Sequence, residues 1–513
     1  MNRWVIILIL GLAVNVLMKV WKINEPIETD LMQYCMGGHT IFHGMVLYKD
    51  VLDQKPPLLH LIYGISEQIF GYGESQIFAI NILFSSLVIF FAFLILKELK
   101  FSGLMVGCFL AFLILGLLSC LEIEANQPNS ELILNGLLGL ALLQSIRACQ
   151  GKKIELGLFW FTAASLSFVK HHAIIPALCL ALVNDKVNQT INWKSRFVLP
   201  SIASTISLWL CFFFFYYIYG HWHDMWMSLF AFNFTYNNSL SQTLIEAMAW
   251  HNVLMLFVVC IPPFLLLLKK EPLPEVLKNL SWLSLVFSLG SFVMLAAPGK
   301  WWPHYYQLMI WPYFFSFALM FSGFCRGTSF ILKLLRGAII GSIFWLSAHN
   351  LANFLKLSPE EISLKKYKGP WFIETKKVAP KIKELLKGDE WFFVWGQDPG
   401  LYVYTNIWPK TRMNTYFPFV FGGIQQYAYK KFFEEVAQDP PELVIFPRPQ
   451  IGMIAPNLAD PILNWIARNY FPISNGYDYE GYLVCSRLGG SVDLRMDKQI
   501  PRQPLMGLFI KPN

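Results

Sequence analysis

Long apolar runs decide most of what this chain can become. A run of about 17 to 25 apolar residues is long enough to cross the hydrocarbon of a bilayer as one helix. Nine stretches qualify: 4–20, 75–96, 102–121, 129–148, 197–219, 251–268, 280–297, 305–323 and 330–350. A further stretch, 154–184, is interrupted by Lys170, His171 and His172 and reads as two short spans meeting at that break, for about eleven spans in all. Composition agrees, because only 14% of the 513 residues are charged, against about 25% in a soluble domain. The expected fold class is an α-helical polytopic membrane protein.

Charge placement predicts a direction for those spans. Cytoplasmic loops collect Lys and Arg. With the N-terminus inside, alternate loops carry Lys97 and Lys100, then Arg147, Lys152 and Lys153, then Lys186, Lys194 and Arg196, then Lys269, Lys270 and Lys278, then Arg326. The opposite set holds Glu122 and Glu124, the stretch 220–250 with neither Lys nor Arg, and a short turn at Lys300. The N-terminus is therefore expected in the cytoplasm of a cell with the chain in its inner or plasma membrane. The first run has only Arg3 ahead of it and no small-x-small site before Glu25, so it reads as a retained span rather than a cleaved leader.

Several classes of function are disfavoured at this level. The net charge of +8 is spread over short loops, with no basic stripe interleaved with aromatics, which argues against nucleic acid as a partner. Of nine cysteines, Cys108, Cys120, Cys179, Cys211 and Cys260 fall inside apolar runs, where the thiol acts as a small hydrophobe. No CxxC and no Cys/His pairing of metal spacing is evident, so neither a disulfide framework nor a zinc site is expected.

After Leu355 the pattern changes. A helical stretch over 371–387 precedes strand-like runs at Trp391–Trp395 and Leu401–Tyr404, a polar helix at 425–438, a strand at Leu443–Phe446, a helix near 460–470 and a last strand near 481–486. Alternating strands and helices predict a small α/β domain. The expected division is 1–355, a membrane part with a first external loop at 22–74, and 356–513, an extracytoplasmic α/β domain. It has no Gly-rich phosphate loop, so no nucleotide is assigned to it.

The candidate chemistry concentrates just after the first span. Glu28 and Asp30 stand at the start of an amphipathic pattern running from Leu31 to Phe42. A carboxylate there can act as a general base if it is partly desolvated; the plainer alternative is that Thr29 or Asp30 caps the helix. Downstream, Tyr48, Asp50, Asp53, Gln54, Lys55, Pro56 and Pro57 lead back into apolar sequence. The prolines fix the backbone beside Lys55, whose ammonium suits a lipid-borne phosphate; the plainer reading is a snorkelling lysine. Asn129 and Glu131 read equally as helix-start chemistry or as a site for a second carboxylate. Lys170 is a costly ionisable group between apolar helices. Its neighbours His171 and His172 point different ways on a helix and cannot chelate together.

An Asp four residues before a Tyr, a Gly before Tyr-x-Asp, and Asp-x-Lys-Pro-Pro, all directly after span one, resemble the first external loop of the bacterial polyprenyl-phosphate-dependent glycosyltransferases. This is the GT-C membrane class that includes protein O-mannosyltransferases and lipid A aminoarabinose transferases. The resemblance extends in layout to most of the chain and in residues to 26–58, 126–131, 298–312 and 395–412. It implies that Asp30 is the general base activating the acceptor, with Glu28 and Glu131 as further carboxylates. It implies that Lys55 contacts the donor phosphate, helped by Lys170, Lys300, His304 and Tyr305. Tyr34, Tyr48, Asp53 and Arg412 are further pocket candidates. Where mannosyltransferases carry an Asp-Glu pair, this sequence has Glu28-Thr29-Asp30.

The implied reaction is inverting transfer of a sugar from a polyprenyl-phosphate carrier to an acceptor that is a lipid, glycan or protein. No cofactor is required for it, although in some relatives Glu28, Asp30 and Glu131 could hold a divalent cation. The rival reading is a transporter or flippase of lipid-linked sugars. It fits less well because transporters set ionisable groups near mid-span, often with broken helices, and here most lie at one face.

Overall fold

Inside a bilayer every backbone N–H and C=O must be satisfied within its own segment, which is why apolar runs of this length become helices. The computed structural model describes residues 3–189, 195–236, 239–268, 273–325, 330–420, 423–447, 460–473 and 479–496. Lys194, Lys269, Lys270 and Arg326, members of the basic-loop pattern, lie outside them.

The chain opens with α1 (Arg3–Trp21), α2 (Thr29–Phe42), α3 (Pro57–Phe70), α4 (Glu74–Glu98) and α5 (Gly103–Ala111), which runs on through a π-helical turn to Leu117. It continues with α6 (Ser130–Cys149), α7 (Leu156–Val169), α8 (Ile174–Val187) and α9 (Val198–Ile218). Three short helices follow, α10 (Trp222–Trp226), α11 (Phe232–Tyr236) and α12 (Leu240–Ala247), then α13 (Trp250–Leu267), α14 (Glu275–Ala296), α15 (Ile310–Phe321) and α16 (Phe330–Lys356). Among the described residues seven helices are long and apolar enough to cross a membrane: α1, α4, α6, α9, α13, α14 and α16. Against the expected set of about eleven, these seven are joined among the described residues by two shorter apolar helices, Gly103–Leu117 and Leu156–Val169. The break at Lys170 is real in form, with a 3-10 turn over His171–Ala173 separating α7 from α8.

The bundle has two unlike ends, and α4 spans the difference. At its last turn Glu98 takes Arg147 at 2.9 Å and also pairs with Lys152. At its first turn Glu74 takes Lys376, at 2.8 Å, from the segment that follows the bundle.

That segment comprises α17 (Pro359–Tyr367), α18 (Trp371–Leu385), β1 (Phe392–Val394), α19 (Gly400–Thr405) and a helix over Gln425–Val436. They are followed by β2 (Leu443–Pro447), a helix over Pro461–Asn469, β3 (Tyr470–Pro472) and β4 (Tyr482–Arg487). The sheet order is β1-β2-β4-β3, with β1 and β2 parallel and the other pairs antiparallel. Phe392 aligns with Leu443, and Val444 with Cys485, and the sheet is buried on both faces: Phe392, Leu443 and Val484 belong to one core and Phe393, Val444 and Cys485 to another. The expected strand at Leu401–Tyr404 is instead α19, because Pro399 and Gly400 start a helical turn and the Tyr402 hydroxyl takes the β1 amide of Val394 at 3.0 Å. A short apolar run does not distinguish the two states by periodicity.

One contact fixes the part of the fold that matters most. α2 and α3 pack backbone against backbone: a Cβ on Gly38 would meet the Gly64 nitrogen at 2.5 Å, and one on Gly64 would meet the Gly38 oxygen at 2.7 Å. This close crossing holds the start of α2 beside the start of α3, and with them Asp30 and Lys55.

Candidate active site

Asp30 stands in the first turn of α2, where the positive end of the helix dipole favours a carboxylate. The helix begins at Thr29 rather than Leu31, and its cap position is Glu28, whose side chain makes no capping bond. Thr29 donates to the Gln397 carbonyl at 3.1 Å instead. The capping reading of Thr29 and Asp30 therefore fails. Among the described residues, the Asp30 carboxylate accepts one hydrogen bond, from the Tyr34 hydroxyl at 3.3 Å.

Lys55 is held by its backbone and left free at its tip. Its amide donates to Asp53 Oδ1 at 2.8 Å and its carbonyl accepts the Tyr48 hydroxyl at 2.7 Å. Tyr48, at a backbone φ of 68°, is fully buried behind it. Among the described residues the Lys55 ammonium forms no ion pair or hydrogen bond, although the residue is only 8% exposed. Burial opposes its charge, but the oxygens of Tyr305, Asp30, Glu131 and Asp53 outweigh that and raise its pKa. Burial likewise raises Asp53, against the opposing pull of His60.

Two clefts meet at Lys55. The first, of about 470 Å³, is lined by Asp30, Gln33, Tyr34, Asp53 and Lys55, and is roofed by Gln397, Thr415 and Phe417 from the sheet-bearing segment. The second, of about 920 Å³, contains Lys55, Lys170, His171, Tyr305 and the apolar side chains of Leu229, Phe230 and Phe234. Gln54 and Lys55 belong to both.

The remaining candidates are placed as follows. Lys170 donates to Glu131 at 2.5 Å and lies 3.6 Å from the centre of the Tyr305 ring. Asn129 occupies the cap position of α6 but makes no capping bond. Lys300 packs over the Tyr236 ring at 4.9 Å and lines neither cleft. Arg412 is engaged by Glu435 at 2.6 Å and Asp224 at 2.7 Å, tying α10 to the sheet-bearing segment away from both clefts. Sequence reasoning missed the roof residues Gln397, Thr415 and Phe417, which no local spacing announces.

Among the described residues two groups could hold a metal ion. Glu28, Glu124 and His304 bring buried ligand atoms within 4.8 Å of one another. Here burial and the Glu124 carboxylate raise the Glu28 pKa to about 8, against His304. Burial works against a charged His304, but its hydrogen bond to Glu124 and the carboxylates of Glu131, Glu28 and Asp30 raise its pKa overall. The second group is His39, His43 and Glu67. The expectation of no metal spacing overlooked this one, since His39 and His43 are four apart on α2 and share a face. All nine cysteines are free thiols.

Membrane-length helices, a polar site at one end and a small mixed sheet over it define a multi-pass membrane protein. Among solved structures the chain is similar to ArnT from Cupriavidus metallidurans bound to undecaprenyl phosphate, with a TM-score of 0.57 and 13% identity over 95% of this chain and 98% of that one. It is similar to the apo state of the same protein with a TM-score of 0.58 and 12% identity, over 96% and 99% of the two chains. No protein-family model and no curated protein matches the sequence. At this identity the likeness establishes a shared fold.

Proposed function

We propose that this protein is an inverting glycosyltransferase of the inner membrane. It would move a sugar from a polyprenyl-phosphate carrier to an acceptor hydroxyl on the extracytoplasmic side, with its N-terminus in the cytoplasm and its sheet-bearing segment outside. The observation that carries this reading is the position of Lys55, whose ammonium has no ion-pair partner among the described residues and is shared by a polar cleft that holds Asp30 and a larger cleft with apolar walls. A lipid-borne phosphate needs such a boundary: a cation for the head and hydrocarbon for the tail. The ArnT structure of the same fold binds undecaprenyl phosphate, which supports a carrier of that kind here.

The chemistry follows from where the charges change. The acceptor oxygen bonds to the anomeric carbon on the face opposite the phosphate, while the bond from that carbon to the phosphate oxygen breaks and its electron pair stays with the phosphate. The phosphate gains one negative charge, which the ammonium of Lys55 stabilises in a water-poor site. Asp30 takes the acceptor proton. Asp53 and Tyr48 are positioning residues that hold the Lys55 backbone. Glu131 and Lys170 neutralise each other, so their part in the site is to shape it and not to supply a free charge.

Purified protein in nanodiscs, given a radiolabelled undecaprenyl-phosphate sugar and envelope extract as acceptor source, tests this. The reading expects label to leave the lipid and unlabelled undecaprenyl phosphate to accumulate. Label that crosses a vesicle bilayer still attached to its lipid, with no transfer, would establish the flippase alternative.

A further inference from the structure

At the far end of α2 from Asp30, three side chains form a group that the transfer chemistry does not use. His39 and His43 lie in the last turn of α2 and just beyond it, and Glu67 reaches them from α3. His39 Nδ1 is 2.7 Å from Glu67 Oε1, and His43 Nε2 is 3.7 Å from the same oxygen. His43 Nδ1 lies 2.9 Å from the His39 carbonyl, which can only accept, so Nδ1 is the donor there and Nε2 is the ring nitrogen that faces the carboxylate.

We propose that His39, His43 and Glu67 bind a zinc-class divalent cation that clamps α2 to α3. The three ligand atoms lie within 4.8 Å of one another, close enough to surround a single ion. In a tetrahedral zinc site with bonds of about 2.0–2.2 Å, neighbouring donors lie roughly 3.3 Å apart. The two separations from Glu67 Oε1, 2.7 and 3.7 Å, bracket that value. Imidazole and carboxylate donors suit zinc, and the His39 and His43 rings lie stacked with centres 3.7 Å apart beside Glu67.

A second observation points the same way. The other Glu67 oxygen is buried without any hydrogen-bond partner, as is the hydroxyl of Tyr72, whose ring packs 4.8 Å from that of His39. Glu67 is 7% exposed, and among the described residues it has no Lys or Arg partner. The site is nonetheless reachable, since the His43 side chain is 40% exposed. The Trp408 ring stacks on His39 at 4.9 Å, so an ion here would also anchor the sheet-bearing segment over the helix pair. The Glu28, Glu124 and His304 group lacks this opening: all three are buried, with Glu124 paired to His304 and Glu28 accepting the Tyr367 hydroxyl.

The test is zinc binding by the full chain in nanodiscs, stripped of metal and titrated with zinc sulfate, with metal content read by mass spectrometry. The expected result is one equivalent of zinc per chain, with affinity at least about 10-fold weaker in His43→Ala and in Glu67→Gln and unchanged in His251→Ala. His43 is at the surface, so its loss leaves the fold intact. Absence of saturable zinc binding, or binding of equal affinity in His43→Ala and Glu67→Gln, overturns the proposal.

Discussion

The Lys170 ammonium lies 2.5 Å from the Glu131 carboxylate, and both side chains are almost wholly buried. A pair of this kind is costly to break from one side, because the survivor is a lone charge in a dry site. Lys170→Met is therefore expected to destabilise the protein by about 3–5 kcal/mol, and the double change with Glu131→Gln by clearly less. Thermal unfolding midpoints of the single and double variants in detergent check this; equal losses would show that the pair is not coupled.

The crossing of α2 and α3 leaves no room for a methyl group. Gly38→Ala would push its new carbon into the Gly64 backbone, which cannot yield as a side chain would. A loss of about 1–3 kcal/mol is expected, the usual range for overpacking. Gly44→Ala is not a clean control despite its open space, because its φ of 73° strains any side chain. Gly157, with open space and no such φ, is the proper comparison, and its alanine variant should unfold near the parent temperature.

Glu28 gives the protein a pH dependence of definite sign. Burial, then the Glu124 carboxylate, raises its folded pKa to about 8, so between about pH 4.5 and 8 the folded state holds a proton that the unfolded state has released. Stability from this group is complete below the unfolded value and is lost as pH rises through the folded one. Asp398, raised by burial to about 7, adds a slope of the same sign. Unfolding curves from pH 5 to 8 should show falling stability, and Glu28→Gln should flatten the decline. A slope unchanged in that variant would remove Glu28 from the account.

Lys55→Ala removes the cation at the junction of the two clefts. Charge-assisted contacts to a phosphate contribute about 1.5–3 kcal/mol, so undecaprenyl phosphate should bind roughly 10- to 100-fold more weakly. Lys300→Ala should change binding little, because Lys300 packs on Tyr236 and lines neither cleft. Lipid titration by tryptophan fluorescence reads both.

Much of this was legible from the chain because it rests on local pattern. Apolar run length predicts the membrane-length helices, whereas Asp30 and Lys55 come together only because α2 and α3 run side by side in the same direction, with Tyr34 beside Tyr63 and Gly38 on Gly64. Pairings between distant segments were not legible. Nothing in spacing links Lys170 to Glu131, or Arg412 to Asp224 and Glu435, and each pairing takes a candidate charge out of use. Phe417 and Thr415 come over the site from the far end of the chain. The His39 and His43 spacing was readable, but its meaning depends on Glu67, which only the α2–α3 crossing brings in.

The account depends on Asp30 taking a proton in the cleft that Lys55 completes, and single-turnover transfer by Asp30→Asn is its most direct test. The substitution keeps the shape of the side chain and removes its basicity. Transfer from a labelled undecaprenyl-phosphate sugar is expected to slow by about 10²–10⁴-fold, while undecaprenyl phosphate binds within about threefold of the parent protein. A variant that transfers at the parental rate would contradict the central claim.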